Sequence, residues 1–290
     1  MAFSESLKKE TLERFRTRAS YERRIDKEIE LKIKRYRKEI TKLQSQRISS
    51  AWPCTVIAEG DSWFNYTIAH DIPYYIEKRP CIKLLNLASP GDEVREMITP
   101  KQLERLAREL KSGATDNTRY DAFIFSGGGN DLLRKGRFYY FLNNYHSGMN
   151  AKDLVNTKIV NCALAVLKNG FETIISTRDE NSPETKIYFH SYDFAQPTGK
   201  PVCFSGPWLK PGLDRRKVPK SLQPEVVREF LLIFDRALKG VVKTAANAEL
   251  VPTQGTVEKS EWANEIHPTN KGFKKLASKF FTAIEADFAR

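Results

Sequence analysis

A serine and a histidine, far apart in this 290-residue chain, are the residue types that acyl transfer requires. Ser62 follows a Gly-Asp pair that lies one residue beyond the run 54–58, so a tight turn can present its hydroxyl. His267 precedes a proline and an amphipathic segment. A serine whose proton is taken by a histidine becomes a nucleophile that attacks ester carbonyls. Each residue alone also has an ordinary explanation, because serine often caps helices and a lone histidine is commonly structural.

Two more small polar loops follow strand-like segments further along the chain. One contains Gly91, and the other is the glycine run 127–129 followed by Asn130 and Asp131. The carboxyl ends of parallel strands meet at one edge of an open sheet, so we expect these loops to lie beside Ser62. The glycine run lacks the Lys-Ser/Thr of a P-loop and the spacing of a dinucleotide fingerprint. Taken singly, Gly91 could be a turn glycine and Asn130 a helix cap.

The elements that must position these loops alternate between strands and helices. Strands are predicted at 54–58, 82–87, 122–125, 186–190 and 248–251, and helices at 69–78, 100–111, 151–178, 222–245 and 272–288. The stretch 132–150 is predicted to be irregular, and the proline- and glycine-rich stretch 194–220 a long loop of the kind that covers a site. The alternation predicts an α/β fold, a flavodoxin-like three-layer α/β/α sandwich. Its five-stranded parallel sheet should have the order two-one-three-four-five.

Residues 4–47 predict a long charged helix, with a break expected near Ser20. The stretch has no proline or glycine, its basic residues outnumber its acidic ones, and its apolar residues recur at three-four spacing from Ile25 onward. Such a helix could pack on its own domain, self-associate with a second subunit, or serve as a basic arm for an anionic surface. We rank the basic arm last because acidic residues interrupt its charged face. We divide the chain into a basic amphipathic helix, 1–48, a short linker, and a catalytic domain, 54–290.

Composition limits the remaining function classes. The net charge of +12 suits anionic neighbours, but no DNA- or RNA-binding motif accompanies it, so nucleic acid is not an expected partner. The four cysteines are far apart and form no C-x-x-C pair, so no zinc site is expected. No apolar leader and no run of eighteen apolar residues is present, so we expect a cytoplasmic protein without a transmembrane segment.

The ordered blocks together resemble the SGNH/GDSL hydrolase superfamily over residues 54–288. Gly-Asp-Ser-Trp at 60–63 is similar to the first block, which carries the nucleophile. Gly91 is similar to the second-block glycine, 128–131 to the Gly-x-Asn-Asp block, and His267 to the histidine of the last block. The tryptophan that follows the serine makes the first block similar to that of a bacterial branch of the superfamily.

The resemblance implies roles for these residues. The backbone N–H groups of Ser62 and Gly91 and the side chain of Asn130 would form the oxyanion hole, and no metal or cofactor would be needed. The last block of the superfamily is Asp-x-x-His, but the aspartate position is Asn264 here. An amide oxygen can accept a hydrogen bond from His267 but supplies no charge to an imidazolium.

Other groups remain candidates for supporting roles. Asp61 and Asp131 flank the serine and the asparagine, and Asp193 or Glu265, like a backbone carbonyl, could orient the histidine in place of Asn264. The expected catalytic machinery is therefore a Ser-His dyad or a Ser-His-Asn arrangement that works through an acyl-enzyme.

The expected activity is hydrolysis of carboxylic esters, of the esterase, lipase or deacetylase type, on a small-molecule, lipid or glycan ester. The aromatic residues between 138 and 145, together with Trp208, could line an acyl or sugar pocket or simply pack beneath a loop. The alternative is a catalytically weak or inactive binding protein that kept the fold and acts through its basic N-terminal helix. The asparagine at position 264 keeps this alternative open.

Overall fold

The computed structural model describes residues 5–45, 54–115, 119–202 and 206–288. The chain divides into two compact units, Met1–Ala51 and Trp52–Arg290. In the first unit the structure describes a helix, α1, Glu5–Ser45. The break predicted near Ser20 is wrong, because the helix runs through this residue without interruption. The predicted linker before residue 54 lies outside the described residues.

The second unit is built on a parallel sheet of five strands in the order β2-β1-β3-β4-β5, which confirms the predicted fold class. The strands are β1 Cys54–Gly60, β2 Ile82–Asn86, β3 Ala122–Ser126, β4 Lys186–His190 and β5 Ala248–Val251. β3 is buried along its whole length and β1 beyond its first residue. Strands covered by helices on both faces form continuous apolar runs of this kind, which is why the sequence pattern located them.

Helices flank the sheet on both sides. They are α2 Ile72–Glu77, α3 Val94–Met97, α4 Pro100–Thr115, α5 Gly129–Leu133, α6 Ala151–Leu154, α7 Thr157–Asn181, α8 Lys210–Arg215, α9 Gln223–Thr244 and α10 Asn270–Phe288. α2 packs against α10, while α7 packs against α3, α4 and α9. Within the described residues, α7 alone is long and apolar enough to cross a membrane by length and composition. Its buried face carries Leu164, Phe171 and Ile174, as expected for a core helix.

The predicted elements and the structure differ at several places. The stretch predicted to be irregular after residue 132 contains a 3-10 helix, Arg134–Phe141, and the long loop after 194 contains α8. The helix predicted from 151 is two helices, because the Asn156 side chain accepts the Ile159 N–H and starts α7 afresh. β1 continues to Gly60, which pairs with Ser126.

Candidate active site

The serine turn begins where β1 ends, at the carboxyl edge of the sheet. The Asp61 N–H donates to the Ser126 carbonyl at 3.1 Å, and the Gly60 carbonyl accepts the Ser89 N–H at 2.9 Å. A Cβ at Gly60 would lie 2.6 Å from the Ser126 carbonyl oxygen, so only glycine fits here. The turn that carries Ser62 is therefore fixed to the loops that follow β2 and β3.

The structure brings Ser62 and His267 into direct contact across 205 positions of sequence. The Ser62 Oγ lies 2.8 Å from the His267 Nε2. The imidazole is buried, and burial lowers the pKa of His267 to about 3. The ring is therefore neutral near pH 7, and its Nε2 can accept the serine proton when Nδ1 carries the ring hydrogen.

Asn264 occupies the position from which an aspartate would orient this histidine. Its Oδ1 lies 3.2 Å from the His267 Nδ1 and also accepts the backbone N–H groups of Ile266 and His267, at 3.1 and 2.9 Å. Its Nδ2 donates to the Tyr66 Oη at 3.2 Å. The amide oxygen therefore faces donors on one side and the amide nitrogen faces the phenol on the other. This arrangement favours the Nδ1–H tautomer of His267.

Trp63 joins the serine turn to the turn that carries the histidine. Its indole N–H donates to the Ile266 carbonyl at 3.0 Å, and its ring packs on the edges of Tyr192 and Phe273. Trp63 is buried, so the residue that follows the serine packs between the two turns. The indole and the carbonyl together fix the distance between nucleophile and base.

Of the three candidate oxyanion donors, the Ser62 N–H belongs to the serine turn itself, and the other two lie in the loops bonded to that turn. Gly91 has a φ of +82°, a conformation that favours glycine. Its carbonyl accepts from the Arg134 Nη1 at 3.2 Å. Asn130, in the first turn of α5, is buried and donates from Nδ2 to the Asp92 carbonyl at 2.9 Å. An amide nitrogen carries two hydrogens, so a second one can face the cleft that Asn130 shares with Ser62.

Asp61 lies buried beneath the serine and links three parts of the site. It accepts hydrogen bonds from the Trp63 N–H at 3.0 Å, the Ser126 hydroxyl at 2.9 Å and the Tyr192 hydroxyl at 2.6 Å. His190 continues this network through the Ser126 Oγ at 2.9 Å. Burial raises the pKa of the Asp61 carboxyl, and its hydrogen bonds oppose that effect. The geometry gives Asp61 a structural role.

The other three acidic candidates bond to backbone groups and not to the histidine ring. Asp131 accepts the Val94 N–H at 2.9 Å, and burial raises its pKa to about 6. Asp193 accepts the N–H groups of residues 255–257. Glu265 accepts those of Gly199, Trp208, Leu209 and Lys210. Among the described contacts, Asn264 is the side chain that the structure places on the Nδ1 side of the ring.

An apolar cleft opens beside Ser62. Its lining is mainly hydrophobic, from Leu132, Leu133, Ala195, Phe230, Leu231, Phe234 and Ile266. Among the described residues that line this cleft there is none of the aromatic residues proposed from the sequence, 138–145 and Trp208. Phe138 and Phe141 pack behind the lining on Phe230, with ring centroids 5.1 and 5.5 Å apart, whereas Tyr140 is exposed. The sequence does not single out Phe230 and Phe234, because their spacing on α9 is that of any core-facing helix. Within the described residues, no group of three or more His, Cys, Asp or Glu could hold a metal ion.

Comparison with known proteins identifies the fold. No protein-family model and no curated protein matches the chain. Among solved structures, an extracellular lipase from Streptomyces rimosus is 13% identical with a TM-score of 0.51, over 79% of this chain and 99% of the lipase. Phospholipase A1 from Streptomyces albidoflavus is 12% identical with a TM-score of 0.51, over 81% of this chain and 99% of the enzyme.

A third similar structure, from Streptococcus pneumonia, is provisionally assigned as a platelet activating factor. It is 17% identical with a TM-score of 0.51 and covers 97% of this chain and 100% of its own. At these identities the similarity concerns the fold. The chain has the fold of the SGNH/GDSL hydrolases.

Proposed function

We propose that this protein, built on the SGNH/GDSL hydrolase fold, is a serine hydrolase of carboxylic esters. One observation carries the proposal: the Ser62 Oγ lies 2.8 Å from the Nε2 of a buried, neutral His267. A hydroxyl within hydrogen-bond reach of a general base is the geometry of an activated nucleophile. Its position at the carboxyl edge of the sheet, beside a cleft, gives a substrate access to it.

The reaction proceeds in two halves. Ser62 attacks the ester carbonyl while its proton passes to the His267 Nε2, and a C–O bond forms to give a tetrahedral oxyanion. The N–H groups of Ser62 and Gly91 and the Asn130 amide stabilise that oxyanion. The bond to the alcohol then breaks, and the Nε2 proton goes to the departing oxygen. Water attacks the acyl-enzyme with His267 again acting as base, which releases the acid and restores the Ser62 hydroxyl.

The cleft beside Ser62 favours an apolar acyl group. Leucine, phenylalanine and isoleucine side chains dominate its lining, and burying each methylene of an acyl chain there contributes about 0.8 kcal/mol. Two proteins with the same fold are named a lipase and a phospholipase A1, and these names support an ester of this kind as the substrate here. We therefore propose a small-molecule or lipid ester as the substrate, ahead of a glycan ester.

The test is covalent labelling of the intact protein with a fluorophosphonate, read by mass spectrometry. We expect one adduct on the wild type and none on Ser62→Ala. Ser278→Ala, which removes an exposed hydroxyl on α10, is the matched control and should be labelled like the wild type. An adduct that survives Ser62→Ala would place the reactive serine elsewhere.

The second candidate is a binding protein that has lost activity. The observation that favours it is Asn264, a neutral group where an aspartate would stabilise the imidazolium. A folded wild type that forms no adduct and hydrolyses no ester would support this candidate. Self-association through residues 4–47 and a cytoplasmic location stay predictions.

A further inference from the structure

Tyr66 lies directly on the face of the proposed general base. Its ring and the His267 ring have centroids 4.3 Å apart and planes inclined by 17°, a stacked arrangement. Tyr66 is 7% exposed, its N–H donates to the Asp71 carboxylate at 3.0 Å, and its ring packs on Phe273 at 5.8 Å. The tyrosine is therefore held in place and cannot move away freely when the histidine changes charge.

The histidine needs stabilisation that its hydrogen-bond partner supplies only weakly. During the reaction His267 becomes an imidazolium inside a buried site. The Asn264 oxygen is neutral, lies 3.2 Å from Nδ1, and is shared with two backbone N–H groups. In the part of the chain that the structure describes, no carboxylate hydrogen-bonds to this ring. The amide oxygen has two lone pairs and accepts from three donors. It therefore forms a weaker hydrogen bond with each of them than an acceptor with a single donor would.

The face of an aromatic ring can supply part of the missing stabilisation of the imidazolium. The face of an aromatic ring carries negative potential and attracts a cation within about 6 Å of its centroid, most strongly where water is excluded. The stacked Tyr66 ring meets this condition at 4.3 Å. The attraction acts on the imidazolium and hardly on the neutral ring, so it is larger in the transition state than in the ground state and raises kcat.

We propose that Tyr66 is a positioning residue that compensates for the absent aspartate: its ring face stabilises the His267 imidazolium, and its hydroxyl holds the Asn264 amide in its orientation. This inference rests on the proposed function. Its two parts use different atoms of one side chain. The ring acts on the histidine, and the oxygen accepts the Asn264 Nδ2–H at 3.2 Å.

The first experiment compares Tyr66→Phe and Tyr66→Leu with the wild type on a short-chain p-nitrophenyl ester. We expect Tyr66→Leu to lose about 30-fold in kcat, the equivalent of about 2 kcal/mol for a desolvated cation–π contact, with KM changed less than about twofold. Tyr66→Phe keeps the ring face and should retain kcat within about fivefold. Tyr140→Leu is the matched control, because Tyr140 is 62% exposed and lies outside the site. A Tyr66→Leu kcat within about threefold of the wild type would overturn the proposal.

A second measurement separates an electrostatic role from packing. The same pair, Tyr66 and Tyr66→Leu, is compared in an Asn264→Asp background, where a carboxylate supplies the charge. We expect the loss to fall below about fivefold, because interacting sites are not additive. An equal loss in both backgrounds would mean that Tyr66 acts only by packing, and would refute the proposal.

Fluorinated phenylalanines at position 66 keep the test valid if Tyr66→Leu does not fold. Each added fluorine withdraws charge from the ring face while the shape stays nearly constant. The logarithm of kcat should fall steadily from phenylalanine to its trifluoro form, and a flat series would contradict the proposal. A wild type without labelling and without esterase activity would instead refute the proposed function itself, so the two failures are distinguishable.

Discussion

Replacing Asn264 by aspartate tests most directly what a carboxylate beside His267 would contribute to catalysis. The new carboxylate would occupy the position of an amide whose oxygen lies 3.2 Å from the His267 Nδ1. A hydrogen bond to a charged group contributes about 1.5–3 kcal/mol, against about 1 kcal/mol for a neutral one. The imidazolium should therefore gain about 1–2 kcal/mol, and we expect kcat to rise about 5- to 30-fold.

The gain should be smaller than the loss known from the reverse change in Ser-His-Asp proteases. There, aspartate to asparagine costs about ten-thousand-fold, largely because the histidine takes the wrong tautomer. Here the Asn264 oxygen already faces the ring, held by the N–H groups of Ile266 and His267. The same two donors, together with the Tyr66 hydroxyl, can solvate the new carboxylate and limit its cost of burial.

The change should also move the acid limb of the pH profile. Burial lowers the pKa of His267 to about 3, so the wild-type base is unprotonated above pH ~5 and kcat/KM should be constant from there to neutral pH. A neighbouring negative charge favours the imidazolium and raises that pKa. In Asn264→Asp the fall in kcat/KM with acidification should therefore begin at a higher pH than in the wild type.

Ester hydrolysis measured between pH 4 and 8, with the fluorophosphonate labelling rate alongside, checks both expectations. Asn264→Ala is the comparison variant, because it removes the acceptor altogether and should lower kcat. A folded Asn264→Asp protein with unchanged kcat and an unchanged acid limb would refute the orienting role. An Asn264→Ala protein with the wild-type kcat would also refute the orienting role.

Three further changes test the groups around the serine. Asn130→Ala should lower kcat about 100- to 1,000-fold with little change in the melting temperature, since one oxyanion donor is removed; a loss under about fivefold would exclude that role. Tyr192→Phe should lower the free energy of unfolding by about 1–3 kcal/mol in urea titration, because the buried Asp61 carboxylate loses a donor at 2.6 Å; an unchanged stability would contradict this account. Gly60→Ala should fail to fold or lower the free energy of unfolding by more than about 3 kcal/mol, because its Cβ would lie 2.6 Å from the Ser126 carbonyl oxygen. A stable Gly60→Ala protein would show that β1 and β3 can separate.

The strands and the serine turn could be predicted from the sequence because both are local patterns. β3 is buried along its whole length and its residues 122–125 form an uninterrupted apolar run. The Gly-Asp-Ser sequence at the end of β1 can be recognised as a turn without a structure. The contacts of Tyr66 are not local, because the ring it stacks on lies about 200 positions away. Phe230 and Phe234 carry no local mark either, since a helix face that lines a cleft has the same spacing as one that fills a core.

The acidic residue beside Asn264 shows why chemistry of the right type is not enough to assign a role. Glu265 is a buried carboxylate two positions from His267, so charge and proximity both made it a candidate for orienting the ring. Its oxygens instead accept four backbone N–H groups, including those of Gly199 and Lys210, which lie in the long loop and at the start of α8. Through Glu265, the turn that carries His267 is therefore hydrogen-bonded to that loop and to the start of α8. The contacts to the imidazole come instead from Asn264 and Tyr66, so in the proposed site the two adjacent residues Asn264 and Glu265 have different roles.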